Sequence, residues 1–278
     1  MPVAATGTVL VTGASTGIGE ATARHLRGLG FDVVAGVRKD EDAERLGAAG
    51  IDTLRLDVTD SASIEALRAR FAEAPLFGVV NNAGVAVAGP LEFIPIDDLR
   101  RQLDVNLVGQ MAVTQAVLPA LRRARGRIVN VSSIGGRLAL PMVGPYAASK
   151  FGLEGLSDSL RREVARFGIE VVLIEPGGVK TPIWKKSTAA ADEMADGMPP
   201  EAEQLYGKLM DTIRAESVKI SEKTGIEPGE VAEAIGTALT ASKPKTRYLV
   251  GKDAKGRWAI AKRVPDRVMD RLIARQMG

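Results

Sequence analysis

Along the chain, near-continuous apolar runs of four to six residues alternate with longer stretches in which apolar residues recur every three or four positions. The runs at 8–12, 32–37, 53–58, 77–81, 127–131, 170–174 and 247–250 read as strands buried on both faces. Between them, helical periodicity covers 17–29, 61–74, 97–124, 145–167 and 228–241. This alternation predicts an α/β fold: a single Rossmann-type, doubly wound parallel sheet of about seven strands with helices on both faces. Gly30, Gly126 and Gly168 stand where left-handed helix caps are expected, and Pro119 is expected to kink or end its helix. Residues 180–227 lose the rhythm. Weak periodicity and Pro199-Pro200 predict a mobile or helical insertion at 183–227, placed to act as a lid over substrate. The chain, residues 1–278, is expected to form one domain with a basic extension at 252–278.

The first strand runs into Thr12-Gly13-Ala14-Ser15-Thr16-Gly17-Ile18-Gly19 and then into a helix. Glycines there allow a tight turn and close approach of a phosphate, while the helix start offers free N–H groups and a positive dipole. Gly13, Ser15, Thr16, Gly17, Ile18 and Gly19 are therefore the expected cradle of a dinucleotide. The spacing, Gly-x3-Gly-x-Gly, differs from the G-x-G-x-x-G of many dehydrogenases. The second strand ends Gly36-Val37-Arg38, with no acid to hold a ribose 2′-hydroxyl and an arginine able to pair with a 2′-phosphate. NADP(H) is the expected cofactor, ahead of NAD(H).

Tyr146 and Lys150 lie four apart, and so on one helical face, just after Pro145 at the helix start. An ammonium beside the phenol is expected to lower its pKa into a range useful for acid–base work. Ser133 lies thirteen residues upstream in Asn130-Val131-Ser132-Ser133. Asn81-Asn82-Ala83-Gly84 ends the fourth strand, Asp104-Val105-Asn106 sits in the helix that follows, and Pro176-Gly177-Gly178-Val179-Lys180-Thr181 follows the sixth strand. These segments fall at C-terminal strand ends or on adjoining helices, where open α/β sheets bind ligands. In this order and spacing the sequence resembles the short-chain dehydrogenase/reductase family over essentially its whole length. The resemblance implies that Ser133 hydrogen-bonds the substrate oxygen and that Tyr146 exchanges the proton. It implies that Lys150 holds the nicotinamide ribose and tunes Tyr146, with Asn106 supporting a water relay to Lys150. It assigns Asp57 and Val58 to the adenine and Asn81, Ala83 and Gly84 to the cofactor-side turn. It places Thr181 on the carboxamide and makes Pro176, Gly177 and Val179, in the same segment, further cofactor contacts. Ser132, His25 and Asp104 read as structural or solvated residues, and Trp184 as a pocket wall or a packing residue.

Composition narrows the chemistry further. There is no cysteine, and His25 is the sole histidine, which excludes disulfides, thiolate catalysis, histidine metal clusters and a serine–histidine triad; no metal is expected. The start of the chain lacks a signal-peptide pattern and no run approaches about 20 apolar residues, so a cytoplasmic location is expected. Charge is concentrated at the end: residues 242–278 carry eleven Lys/Arg against three Asp. There Val268, Met269, Leu272, Ile273 and Gln276 share one helical face, away from Arg267, Arg271 and Arg275. Packing on the domain or on a twin subunit is expected ahead of contact with an anionic membrane surface. Few aromatics and mixed charge elsewhere argue against nucleic acid. Within the family the second strand and the tail resemble the hydroxysteroid and retinol dehydrogenase branch. That branch implies a lipophilic ketone or aldehyde and its alcohol, in a homodimer or homotetramer. A 3-ketoacyl thioester reductase of the same fold and a non-catalytic NADP-binding sensor are the alternatives. The former usually ends soon after its last strand, and intact Ser133, Tyr146, Lys150 and Asn106 speak against the latter.

Overall fold

The apolar runs become seven parallel strands: β1 (Thr8–Thr12), β2 (Asp32–Val37), β3 (Asp52–Arg55), β4 (Gly78–Asn81), β5 (Arg127–Val131), β6 (Glu170–Pro176) and β7 (Arg247–Val250). Their order across the sheet is 3-2-1-4-5-6-7. The computed structural model describes residues 6–277; residues 1–5 and 278, and the side chain of Gln276 at the end of the tail's apolar stripe, lie outside the described part.

Alternation along each strand divides the core into two layers. Val9, Val11, Val33, Ala35, Val80, Val129 and Ile174 face α1 (Gly17–Gly28), α2 (Asp40–Ala48) and α9 (Pro228–Thr240). Leu10, Val34, Val79, Ile128 and Val171 face α3 (Ser61–Arg70), α5 (Gly109–Ala124) and α6 (Gly144–Val164). Both faces are thus covered, as the continuous hydrophobic runs require. On the first face His25 of α1 lies against Gly236 of α9, a packing position without ligand chemistry.

Several local expectations change. The long helix expected over 97–124 is α4 (Ile96–Leu103), a π-helical turn over Asp104–Val108, and α5. Pro119 lies inside α5, which continues to Ala124. Arg125, not Gly126, adopts the left-handed cap, whereas Gly168 does so as expected. The third strand is shorter than expected, because Asp57 turns the chain by accepting the Thr59 N–H at 3.0 Å. Residues 40–48 form α2, which the apolar pattern does not reveal: Leu46 is its one buried side chain, and three acids in its first turn are the remaining signal.

The insertion after β6 is built of α7 (Pro182–Asp196) and α8 (Pro200–Lys219). After β7 come α10 (Lys252–Ala261) and α11 (Asp266–Met277). No helix among the described residues is long and apolar enough to cross a membrane. In α10, Ala254 is buried and Trp258 stacks on the Arg137 guanidinium at 4.5 Å. In α11, which touches α8, Val268 and Leu272 keep 37% and 40% of their surface exposed. The two tail helices therefore differ in how firmly they are attached. Deleting residues 262–278 should lower the melting temperature by about 3 °C or less, and deleting 252–278 by more than about 5 °C. Melting curves of the two truncations check this; equal losses would show that α11 carries the tail's packing.

Candidate active site

Chain order reverses between β1 and β4, and the loops leaving their C-terminal ends diverge there to open a crevice. Thr12 joins the two loops. Its Oγ accepts the N–H groups of Asn82 and Ala83, both at 3.0 Å, while Asn82 Nδ2 donates to the Thr12 and Gly13 carbonyls at 3.0 and 3.1 Å. The resulting cavity is about 1130 Å³. Gly13, Ser15, Thr16, Gly17 and Ile18 line it at the start of α1, where Thr16 leaves the first-turn N–H groups without a side-chain cap. Those donors and the helix dipole suit a pyrophosphate. Arg38, Asp57 and Val58 line the wall at the ends of β2 and β3. Arg38 is 71% exposed, stands 3.9 Å from Asp57 and makes no hydrogen bond among the described residues. Ala83, Gly84, Pro176, Gly177, Val179 and Thr181 complete the lining expected from the sequence.

Two expected cofactor residues do not reach the cavity. Gly19 is buried beneath the loop, where a Cβ would run into the Gly13 carbonyl; it is glycine so that α1 can pack close. Asn81 is 1% exposed and points into the layer between the sheet and α5, donating to Asn130 Oδ1 at 2.8 Å and Thr114 Oγ at 2.9 Å. Its neighbour Asn82 takes the place in the wall. Strand alternation turns one asparagine inward and the next outward.

Ser133, Tyr146 and Lys150 converge on the same cavity from the end of β5 and the first turns of α6. Ser133 Oγ accepts the Gly135 N–H at 3.0 Å and hydrogen-bonds the Tyr146 phenol. Burial pushes the Tyr146 pKa up, and the Ser133 bond opposes this. The expected lowering by Lys150 is absent. The lysine instead donates to the Val131 carbonyl at 2.8 Å, with its Nζ 5.7 Å from the phenol ring centre. Asn106, in the π-helical turn, is fully buried. Its Oδ1 accepts the Val85 N–H at 2.9 Å, and its Nδ2 donates to the Val85 carbonyl and to Ser149 Oγ, at 3.0 and 3.2 Å. The side chain thus braces the β4 loop against α6. Trp184 both lines the cavity and packs, donating to the Val179 carbonyl at 2.7 Å. Ser132 and Asp104 also line it. Among the described residues no group of three or more His, Asp or Glu is placed to hold a metal ion.

Behind Lys150 lies a charged cluster that the motifs do not announce. Glu154, one turn further along α6, accepts Arg247 Nε at 3.0 Å. Glu175 at the end of β6, fully buried, is held by Arg137 at 2.7 Å and Arg247 at 3.3 Å. The only trace in the sequence is the four-residue step from Lys150 to Glu154. Burial pushes the Lys150 pKa down to about 8, against the attraction of Glu154. That displacement from 10.5 corresponds to about 3 kcal/mol favouring the neutral amine. The unfolded chain keeps this proton to about pH 10.5 and the folded chain only to about 8. The penalty is therefore full below pH 8 and is relieved as pH rises from there to 10.5. Glu154→Gln should lower the Lys150 pKa further. An NMR titration of the lysine side chains in both proteins measures it, and an unmoved Lys150 would contradict the assigned coupling.

Comparison with known proteins agrees with this geometry. The short chain dehydrogenase family profile matches residues 7–192. Retinol dehydrogenase 5 of Mus musculus is 38% identical over 277 residues, covering 95% of this chain and 87% of that protein. The NADPH-dependent 3-dehydrocapnine reductase of Ornithobacterium rhinotracheale is 35% identical over 280 residues, covering 96% of each. A short chain dehydrogenase of Burkholderia cenocepacia, solved in complex with NADP, superposes with a TM-score of 0.73 at 26% identity, covering 98% of this chain and 97% of that one. With the crevice, the glycine loop and the Ser133–Tyr146–Lys150 group all in place, the chain belongs to the short-chain dehydrogenase family of oxidoreductases.

Proposed function

We propose that the protein is an NADP(H)-dependent oxidoreductase that interconverts a lipophilic ketone or aldehyde and its alcohol. The observation that carries this reading is the presence of Arg38 and of Ser133, Tyr146 and Lys150 in the wall of one continuous cavity. The start of α1 suits the pyrophosphate, and Arg38, which makes no hydrogen bond among the described residues, suits a 2′-phosphate. Asp57 and Val58 fall to the adenine, and Ala83, Gly84, Pro176, Gly177, Val179 and Thr181 to the remainder. The cofactor supplies or accepts the hydride. Ser133, whose oxygen accepts the Gly135 N–H and whose hydroxyl meets the Tyr146 phenol, stands where it hydrogen-bonds the substrate oxygen beside that phenol. Tyr146, its pKa raised by burial, is a phenol at neutral pH and so acts as the acid in carbonyl reduction. Lys150 lies within reach of both the ring and the cofactor side, and Asn106 keeps α6 in register with the β4 loop. Leu138, Leu140 and Val143, with Ile183, Trp184 and Ile213 from the insertion, give the cavity an apolar lining that suits a lipophilic substrate. The similarity to retinol dehydrogenase 5 supports the same choice.

The protein is further proposed to act as a homo-oligomer. Val108 and Phe151 expose 56% and 45% of their surface on neighbouring parts of the α5–α6 layer. Nothing stands within 4 Å of where a Gly155 side chain would begin, which leaves α6 open to a neighbour at that position. Light scattering should give a dimer or tetramer for the wild type and a smaller species for Phe151→Glu. A monomeric wild type contradicts the assembly.

Arg38→Ala should weaken NADPH binding by about ten- to a hundredfold while leaving NADH binding nearly unchanged. Equal affinities of the wild type for the two cofactors would overturn the assignment. Tyr146→Phe should bind NADPH normally and turn over a panel of steroids, retinal and simple ketones roughly a hundredfold or more slower. Wild-type turnover in that variant, with chemistry rate-limiting, would remove Tyr146 from the mechanism.

A further inference from the structure

The first helix of the C-terminal extension reaches back into the cavity wall. Immediately after β7, Gly251 takes a positive φ of 98°, and the chain enters α10 so that the Asp253 carboxylate returns over the turn between β6 and α7. Asp253 Oδ2 accepts the Gly178 N–H at 2.9 Å. A side chain at Gly177 would run into the same carboxylate, and a Cβ at Gly251 would stand 2.6 Å from it. Asp253 therefore occupies space that both glycines leave open. Neighbouring groups of the turn are tied to protein backbone: the Gly177 N–H to Val250 at 3.0 Å, the Gly178 carbonyl to Ile226 at 2.9 Å, and the Lys180 N–H to Ile226 at 2.9 Å. The peptide N–H of Gly178 is the group held by a carboxylate. That carboxylate lines the cavity together with Gly177, Gly178 and Tyr146, and it has no ion-pair partner among the described residues.

We propose that Asp253 is a positioning residue of the cofactor site: it holds the Gly177–Gly178 turn, and its charge makes the site favour the oxidised cofactor over the reduced one. This rests on the cofactor reading above, in which Thr181, three residues past Gly178, holds the nicotinamide carboxamide and so puts that ring beside the turn. A nicotinamide ring is neutral when reduced and carries one positive charge when oxidised. A fixed carboxylate in the wall therefore attracts one form and is indifferent to the other. Tighter binding of the oxidised form makes the bound reduced form a stronger hydride donor. The basic extension thus takes part in the redox balance of the site, beyond its role in packing.

Asp253→Asn keeps the shape and an acceptor oxygen for Gly178 but removes the charge; Asp253→Ala removes both. Dissociation constants for NADP+ and NADPH are measured by calorimetric titration on the full chain, with melting curves to confirm folding. In the Asn variant, NADP+ affinity should fall about three- to tenfold while NADPH affinity changes less than about twofold. In the Ala variant both should weaken, because the turn is released as well. An unchanged ratio of the two constants in a folded Asn variant overturns the charge role. Unchanged affinities for both forms in the Ala variant overturn the positioning role. Failure of the wild type to bind either form would instead bring down the cofactor reading on which the inference rests.

Discussion

One buried hydroxyl keeps the site open in the right place. Thr12 Oγ, at the end of β1, takes two N–H groups from the loop leaving β4, and the same loop's Asn82 returns two bonds to the β1 side. Both loops leave adjacent parallel strands at the point where chain order reverses. Without a tie they would diverge with no fixed relation between the glycine loop and Ala83–Gly84. With it, the start of α1 and the β4 loop become one rigid wall. Asn106 continues the wall by tying Val85 to α6, the helix that carries Tyr146 and Lys150. The glycine loop and the helix that carries Tyr146 and Lys150 are thereby joined through four side chains, those of Thr12, Asn82, Asn106 and Ser149, and a few backbone groups.

Burial then decides the electrostatics. Lys150 and Tyr146 are both withdrawn from water, and each is driven toward its neutral form. The protein answers with local partners: Ser133 for the phenol and Glu154 for the amine. Glu154 belongs to a wider network with Arg247, Glu175 and Arg137, and Arg137 is covered by Trp258 of the tail. Buried charges of this kind are tolerated where each has a partner, and loss of one partner is costly. This explains why β7 and α10 are integral to the site even though Ser133, Tyr146 and Lys150 all lie elsewhere. The same helix delivers Asp253 to the turn after β6, so the tail touches the site at two places.

Much of this was legible in the sequence. Alternation within the strands of residues such as Val9, Leu10 and Val11 follows from having to cover two faces of a parallel sheet. The spacing of Ser133, Tyr146 and Lys150 places them at one strand end and on one helical face. What escaped had specific causes. The acid-rich α2 buries one side chain and leaves almost no apolar period. The π-helical turn at 104–108 shifts a helix whose pattern otherwise reads as continuous.

By itself the sequence determined what depends on local period and short spacing: the α/β architecture, the glycine loop, the absence of an acid beside Arg38, and the four-residue step from Tyr146 to Lys150. Only the tertiary structure decided that Asn81 turns inward and Asn82 outward, that Gly19 serves packing, and that Tyr146 has a raised pKa. It alone joined Asp253 to Gly178 across 75 positions of chain. The physical reason is common to all of these. Desolvation, side-chain direction and long-range hydrogen bonds depend on which elements are stacked together, and that information is absent from any short stretch of chain.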